Sequence, residues 1–159
     1  MQTEKKNLEG LGGWLILVGI SLFVSPIRLW IEITQIYQEM KSNGSWELIM
    51  SGEADMHYPG IKALILGEIA INSVQIIACI VLIILFFMKK KLFPIVFIAA
   101  AAFNVIFLFV DSVVASSIMP DEFFAEEESG KEIARSFMYL AIWGTYMLVS
   151  KRVKATFIH

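Results

Sequence analysis

Long apolar runs limit what this chain can fold into more than any other feature of its sequence. A helix needs about 20 predominantly apolar residues to cross the hydrocarbon core of a bilayer. Four segments are candidates by length, and they lie at approximately residues 12–37, 61–88, 92–118 and 133–150. The sequence therefore predicts a single all-α domain, an integral membrane bundle of four transmembrane helices.

Composition and charge agree with a bilayer environment. The chain is 57% hydrophobic with a net charge of −2, whereas soluble domains are about 45–50% apolar. Nothing in this charge suggests nucleic acid as a partner. The first run extends from Trp14 to about Tyr37, beyond the roughly 7–15 apolar residues of a signal peptide. We therefore expect it to be retained as the first span.

The distribution of lysine and arginine predicts the orientation. A very short turn at residues 89–91 separates the second and third spans, which we expect to form an antiparallel hairpin. Basic residues concentrate at this turn and near the two ends of the chain, at Lys5, Lys6, Lys89, Lys90, Lys91, Lys151, Arg152 and Lys154. Because positive residues favour the cytoplasmic side, the sequence predicts a multi-pass membrane protein with both termini cytoplasmic (N-in/C-in).

Charged and polar residues inside the predicted spans share helix faces. Spacings of three, four or seven residues repeat among them, which places them on one side of each helix. The predicted intramembrane polar network consists of Arg28, Glu32, Glu68, Asn72, Gln75, Asp111 and Arg135. Its charged members all fall in the predicted outer half of the bilayer. We expect Arg28 to face the bundle interior and to pair with at least one of Glu32, Glu68 and Asp111.

Two interpretations of this network stay open on the sequence alone. Buried charges can fix the packing register of helices, and they can line a polar cavity that opens to the outer side. The other half of the bundle has a different character, because residues 15–18, 80–87 and 95–98 are uniformly apolar. We expect that half to be closed and dry, since apolar constrictions exclude water.

The C-terminal segment follows the fourth predicted span. Lys151, Arg152 and Lys154 form a candidate lipid-headgroup anchor, because basic residues next to a span are attracted to anionic lipids. The alternative is that they only set the topology. Phe157 is expected to dip back into the membrane interface.

The motifs of common enzymes are not found in the sequence. It contains no His-Glu-x-x-His, paired-Cys, Gly-x-Ser-x-Gly or P-loop pattern, which are signatures of hydrolases, metal sites and nucleotide sites. His57 lies near Glu53 and Asp55 in an outer loop and is expected to be solvated. We predict that the protein is not an enzyme and that it has no metal site and no cofactor.

Two segments near the ends of the chain resemble a known family. Residues 10–17 with 25–28, and residues 143–146 with 150–157, are similar to the opening and closing signatures of domain-of-unknown-function family 2569. The resemblance covers nearly the whole chain. It implies a small bacterial inner-membrane protein with four helices. It implies no activity, because the function of the family is not established.

Two hypotheses of function follow from these features. The first is a small, non-enzymatic membrane protein that binds membrane lipids, a membrane-protein partner or a second copy of the chain. The alternative is transport or small-ligand binding through an outward-facing intramembrane polar pocket. A water-accessible pocket lined by Arg28 and Glu68 would favour the alternative, whereas a dry, tightly paired network would favour the first.

Overall fold

The computed structural model describes residues 9–118 and 126–158, and this part of the chain is helical without any strand. Its helices are α1 (Trp14–Ser42), α2 (Ser45–Ser51), α3 (Ile61–Phe87), α4 (Phe93–Ile118), α5 (residues 126–149) and α6 (Lys151–Thr156). A 3-10 turn, Ala54–Met56, lies between α2 and α3. Helix α5 is α-helical over Glu126–Tyr139, π-helical over Leu140–Gly144 and α-helical again over Thr145–Val149.

Three of these helices, α1, α3 and α4, are long and apolar enough to cross a membrane. They cover the first three predicted spans, and α1 continues past residue 37 to Ser42. The fourth predicted span, residues 133–150, falls on α5. Helix α5 does not qualify by the same length and composition, because its first turns are polar and a π-helical turn divides it. Lys5 and Lys6, which contribute to the predicted orientation, lie outside the described residues.

The four long helices pack in chain order. Helix α1 packs on α3, α3 on α4, and α4 on α5. Helices α1 and α5 are joined mainly through side chains. The hydroxyls of Ser21 and Tyr139 are 2.9 Å apart, and the ring centroids of Trp14 and Trp143 are 6.3 Å apart. The bundle therefore has one loosely closed side, between α1 and α5.

The two ends of the bundle differ in charge. We call the end formed by residues 9–13, 88–92 and 150–158 the basic end, and the opposite end the acidic end. The predicted tight turn lies at the basic end, where Lys89 takes a φ of 51° and the Phe93 N–H donates to the Lys90 carbonyl at 3.0 Å. Apolar side chains on the outer faces of the long helices are exposed, as in Ile77 and Ile106. Large exposed apolar surfaces of this kind are typical of membrane contact.

Apolar packing closes the basic end. Ten buried residues from five helices and the C-terminal segment form its core: Leu15, Val18, Leu22, Leu82, Phe86, Phe93, Phe97, Met147, Val153 and Phe157. The Phe93 ring is fully buried, 4.6 Å from the Phe157 ring and 5.2 Å from the Phe86 ring. This packing agrees with the expectation of a closed half on the side that carries both termini.

The N-terminal and C-terminal segments are joined at the basic end. The buried Thr156 hydroxyl accepts a hydrogen bond from the Gly10 N–H and donates to the Gly10 carbonyl, both at 3.1 Å. The Arg152 guanidinium lies so close to Gly12 that an added Cβ would be 3.2 Å from its Nη1. The two terminal motifs noted in the sequence are therefore one structural unit.

The prediction that Phe157 dips into the membrane interface is wrong, because its ring is only 5% exposed and stacks on Phe93. Ser150 explains the difference. Its extended conformation, with ψ 123°, ends α5 and redirects the chain, and its hydroxyl caps α6. Helix α6 then turns its apolar face under the bundle, leaving Lys151 and Lys154 exposed.

Replacing Thr156 by valine is expected to lower the free energy of unfolding by about 1–3 kcal/mol, because both Gly10 hydrogen bonds are lost at a buried site. Thr156→Ser keeps the hydroxyl and should therefore retain most of the wild-type free energy of unfolding. Thermal unfolding of the detergent-solubilised protein measures the effect. Thr34→Val is the matched control, because the Thr34 hydroxyl bonds only to Trp30 of its own helix. Equal effects of Thr156→Val and Thr34→Val would contradict the joined termini.

At the acidic end, the connection between α1 and α3 folds over the bundle. Ile49 of α2 packs on Ile61 and Ile65 of α3 in a second, smaller core. The Tyr37 and Trp46 rings meet edge to face at 4.9 Å, which holds α2 on α1. These contacts cover the space between α1 and α3. Within the described part of the chain, no such segment covers the space between α1 and α5.

Candidate functional site

Arg28 bridges the loosely closed side of the bundle. Its Nε donates to Oε1 of Glu32 at 2.6 Å, one turn along α1, and its Nη2 donates to Oε1 of Glu132 on α5 at 3.0 Å. The three side chains are 53%, 41% and 45% exposed. The predicted pairing of Arg28 with Glu32 is therefore present, but the ion pairs line an opening and not a closed interior.

The depth of this bridge follows from helix geometry. Arg28 lies about 21 Å along α1 from Trp14, at 1.5 Å per residue. A hydrocarbon core is about 30 Å thick, so in a bilayer that began near Trp14 the guanidinium would lie in the half toward the acidic end. At that depth Arg28 can extend toward the interface while its stem stays among apolar side chains.

Two hollows flank the bridge. A shallow, open groove of about 330 Å³ lies on the surface of α1 alone and is lined by Val24, Ile27, Arg28, Ile31, Glu32 and Gln35. A polar cavity of about 100 Å³ lies between α4 and α5 and is lined by Leu108, Asp111, Ser112, Ala115, Ser129, Glu132 and Ile133. Arg28 lines the first and Glu132 the second, so their ion pair connects the two. We call the groove, the ion pair and the cavity together the lateral crevice.

Other polar side chains also form contacts between neighbouring helices of the bundle. The carboxyl groups of Glu68 on α3 and Asp111 on α4 are in hydrogen-bonding contact. The Asn104 amide donates to the Ser136 hydroxyl at 3.3 Å, joining α4 to α5. Ser21 and Tyr139 join α1 to α5 in the same way. Among the described residues, polar contacts therefore link α3 to α4, α4 to α5 and α1 to α5, but not α1 to α3.

The structure does not join every member of the predicted network. Arg28 reaches Glu132 where the sequence suggested Glu68 or Asp111, and no single hollow is lined by both Arg28 and Glu68. Arg135 is exposed and forms no ion pair in the described part of the chain. It lines neither of the two hollows.

Asn72 and Gln75 occupy the predicted face of α3, one and two turns from Glu68 toward the basic end. Both are partly buried. The described part of the chain gives their side chains no hydrogen-bond partner. They extend the polar surface of α3 toward the middle of the bundle without taking part in the Arg28 bridge.

Glu132 is the site residue that the sequence interpretation missed. A signal was present, because Glu132, Ser136, Tyr139 and Trp143 follow the four-three-four spacing of a single helix face. Placing the start of the fourth span at residue 133 assigned Glu132 to the preceding acidic loop. Extending the face by one turn would have included it.

The bridge leaves hydrogen-bonding capacity unused. A guanidinium has five N–H donors, and Arg28 uses Nε and one N–H of Nη2. Glu32 and Glu132 each accept through Oε1, so each keeps Oε2 without a hydrogen-bond partner in the described part of the chain. The crevice therefore presents unused guanidinium donors together with unused carboxylate acceptors.

The crevice ends toward the basic end. The hydrogen bond between Ser21 and Tyr139 crosses from α1 to α5 below the Arg28 bridge. Beyond it lies the apolar core, in which Leu22 is 4% and Phe97 3% exposed. Toward the basic end, the lateral crevice therefore stops at this packed apolar core.

Comparisons with known proteins identify the family but give no close relative of known role. Neither curated proteins nor solved structures match the chain. The family described as "Protein of unknown function (DUF2569)" matches residues 8–158, which includes the joined termini, the bridge and every described helix. The chain therefore belongs to the DUF2569 family.

Proposed function

We propose that this protein is a small, non-enzymatic integral membrane protein that binds another membrane component in the lateral crevice. One observation carries the proposal. Arg28 lies within an apolar helix, half exposed, with N–H donors that no group in the described chain accepts. An intramembrane charge is costly and marks a functional site by default. A bound lipid or partner that accepts from Arg28 would complete the site.

A binding role is favoured over catalysis by the groups that line the crevice. Arg28 is held by two carboxylates, and the sequence contains no motif that activates a nucleophile. Arginine is suited to fork-shaped recognition of phosphate and carboxylate. No cofactor and no nucleic acid are part of this proposal.

We also propose four spans, with α5 as the fourth, in the cell (inner) membrane. Residues 126–149 measure about 36 Å along a helix, long enough for the polar first turns to lie in the interface. The described basic residues of the turn and C-terminal segment lie at one end of the bundle. Positive residues favour the cytoplasm, so we place both termini there and open the crevice to the outer side.

The polar cavity beside Asp111 supports a second candidate, small-ligand binding or transport through an outward-facing pocket. Its volume of about 100 Å³ is sufficient for a few waters or a small polar group. Transport would further require an opening through the apolar basic end. The Phe86, Phe93 and Phe157 rings occupy that path, so binding without passage is the better supported function.

Native mass spectrometry of the protein released from a mild lipid mimetic tests the proposed function. We expect a tightly retained lipid or partner in the wild type and about tenfold less retention in Arg28→Gln, since a hydrogen bond to a charged group contributes about 1.5–3 kcal/mol. Arg135→Gln is the matched control, because Arg135 is exposed and outside the crevice. Absence of any retained molecule, or equal retention by all three proteins, would refute the proposal.

A further inference from the structure

The unused hydrogen-bonding groups of the bridge include both donors and acceptors. Arg28 offers unused N–H donors, and the two carboxylates that it binds, Glu32 and Glu132, each keep an unused Oε2. A phosphate can accept from the guanidinium without displacing either carboxylate, because only two of the five donors are used. An ammonium next to that phosphate can donate to the flanking carboxylates. The constellation is therefore complementary to a zwitterion.

The walls of the crevice are partly apolar, so an occupant also needs an apolar part to cover them. Val24, Ile27 and Ile31 line the α1 groove beside Arg28, and they are 54%, 60% and 48% exposed. All of them lie on the same apolar helix as Arg28. An occupant with a polar head at the depth of Arg28 and a hydrocarbon tail along α1 would cover both surfaces.

The direct ion pair between Arg28 and Glu132 argues against a transmembrane helix as the occupant between α1 and α5. A helix with side chains is about 10–12 Å across, whereas Arg28 spans the gap between α1 and α5 with a direct hydrogen bond of 3.0 Å to Glu132. A helix could enter only by breaking that bridge. A single acyl chain is thinner than a helix and can lie in the α1 groove with the bridge intact.

Resting on the proposed function, we propose that the lateral crevice binds one phospholipid whose headgroup carries a primary amine. Arg28 holds the phosphate, Glu32 and Glu132 accept from the ammonium, and the α1 groove covers part of an acyl chain. A primary ammonium provides three donors. A quaternary ammonium has no N–H to donate, and a glycerol headgroup leaves the lipid anionic beside two carboxylates.

Other charged groups near the bridge do not change this preference. Asp111 lines the adjoining cavity and Glu68 contacts Asp111 from α3, so the surroundings add carboxyl groups and favour a cation further. Lys131 and Arg135 follow on α5, and both are exposed. Neither lines the groove or the cavity.

Competition among headgroups tests the proposal. The purified protein is equilibrated with equal amounts of phosphatidylethanolamine, phosphatidylcholine and phosphatidylglycerol that carry identical acyl chains, and retained lipid is counted by native mass spectrometry. We expect one retained phosphatidylethanolamine with about tenfold preference over either competitor. Glu132→Gln and Glu32→Gln should each reduce that preference several-fold, whereas Arg28→Gln should weaken all three lipids. Arg135→Gln should match the wild type.

The outcomes separate this inference from the proposed function. Retention of lipid without headgroup preference, or a preference that neither glutamate substitution changes, would overturn the amine-lipid proposal and leave a lipid-binding protein. Retention of a membrane protein in place of lipid would overturn it in the same way. A wild-type protein that retains nothing would overturn both. If a variant fails to fold, the headgroup preference of the wild-type protein still tests the amine-lipid proposal.

Discussion

Replacing Phe93 by alanine is expected to lower the free energy of unfolding by about 3 kcal/mol. Phe93 is fully buried, with its ring 5.2 Å from Phe86, 5.8 Å from Phe97 and 4.6 Å from Phe157. Truncation removes the centre of this cluster and leaves a cavity. Because lipid is as apolar as the core, the loss comes from packing and not from transfer to water, so we expect the low end of the range for such substitutions.

Reversible unfolding in mixed micelles measures this loss. Phe109→Ala is the matched control, because Phe109 is on the same helix and 60% exposed on its outer face. We expect the control to change stability by less than about 1 kcal/mol. If both substitutions cost the same, the basic end is not the close-packed core described above.

Replacing Gly19 by leucine is the second substitution with a large expected effect, a destabilisation of about 3 kcal/mol. Gly19 of α1 lies directly against the Phe86 ring of α3. A Cβ there would lie 3.1 Å from Cε1 and 3.3 Å from Cζ of Phe86, so the longer leucine side chain would push the helices apart. Small residues allow such approaches in membrane bundles.

Gly67→Leu provides the control for this prediction, because a Cβ at Gly67 meets nothing within 4 Å. It should unfold at nearly the wild-type temperature. Adding Phe86→Ala to Gly19→Leu should recover part of the loss, since the two residues compete for one space and their effects couple. Equal effects of the two leucine substitutions would show that α1 and α3 do not meet at Gly19.

The three long apolar helices and the tight turn could be predicted from the sequence because they depend on local patterns. The apolar runs predicted α1, α3 and α4, and the lysines at residues 89–91 predicted the turn. The pairing of Arg28 with Glu32 also followed from one-turn spacing. Each of these features is determined within a few neighbouring residues.

The features that were missed depend on contacts between distant parts of the chain. Phe157 follows a cluster of basic residues and looks interfacial, but Thr156 ties its segment to Gly10 and brings the ring into the core. Glu132 was missed because its partner, Arg28, is on another helix. The spacing of residues along one helix does not indicate which residues of another helix they contact.

The most direct test of the crevice is thiol labelling from each side of the membrane, in a Cys79→Ala background that removes the only native cysteine. With an impermeant maleimide on intact cells, we predict labelling of Gln35→Cys, which lines the groove. Lys90→Cys should react only after permeabilisation, and Leu22→Cys, which is 4% exposed, should react from neither side. Labelling of Lys90→Cys from outside, or of Leu22→Cys from either side, would contradict a crevice that opens outward and ends blind.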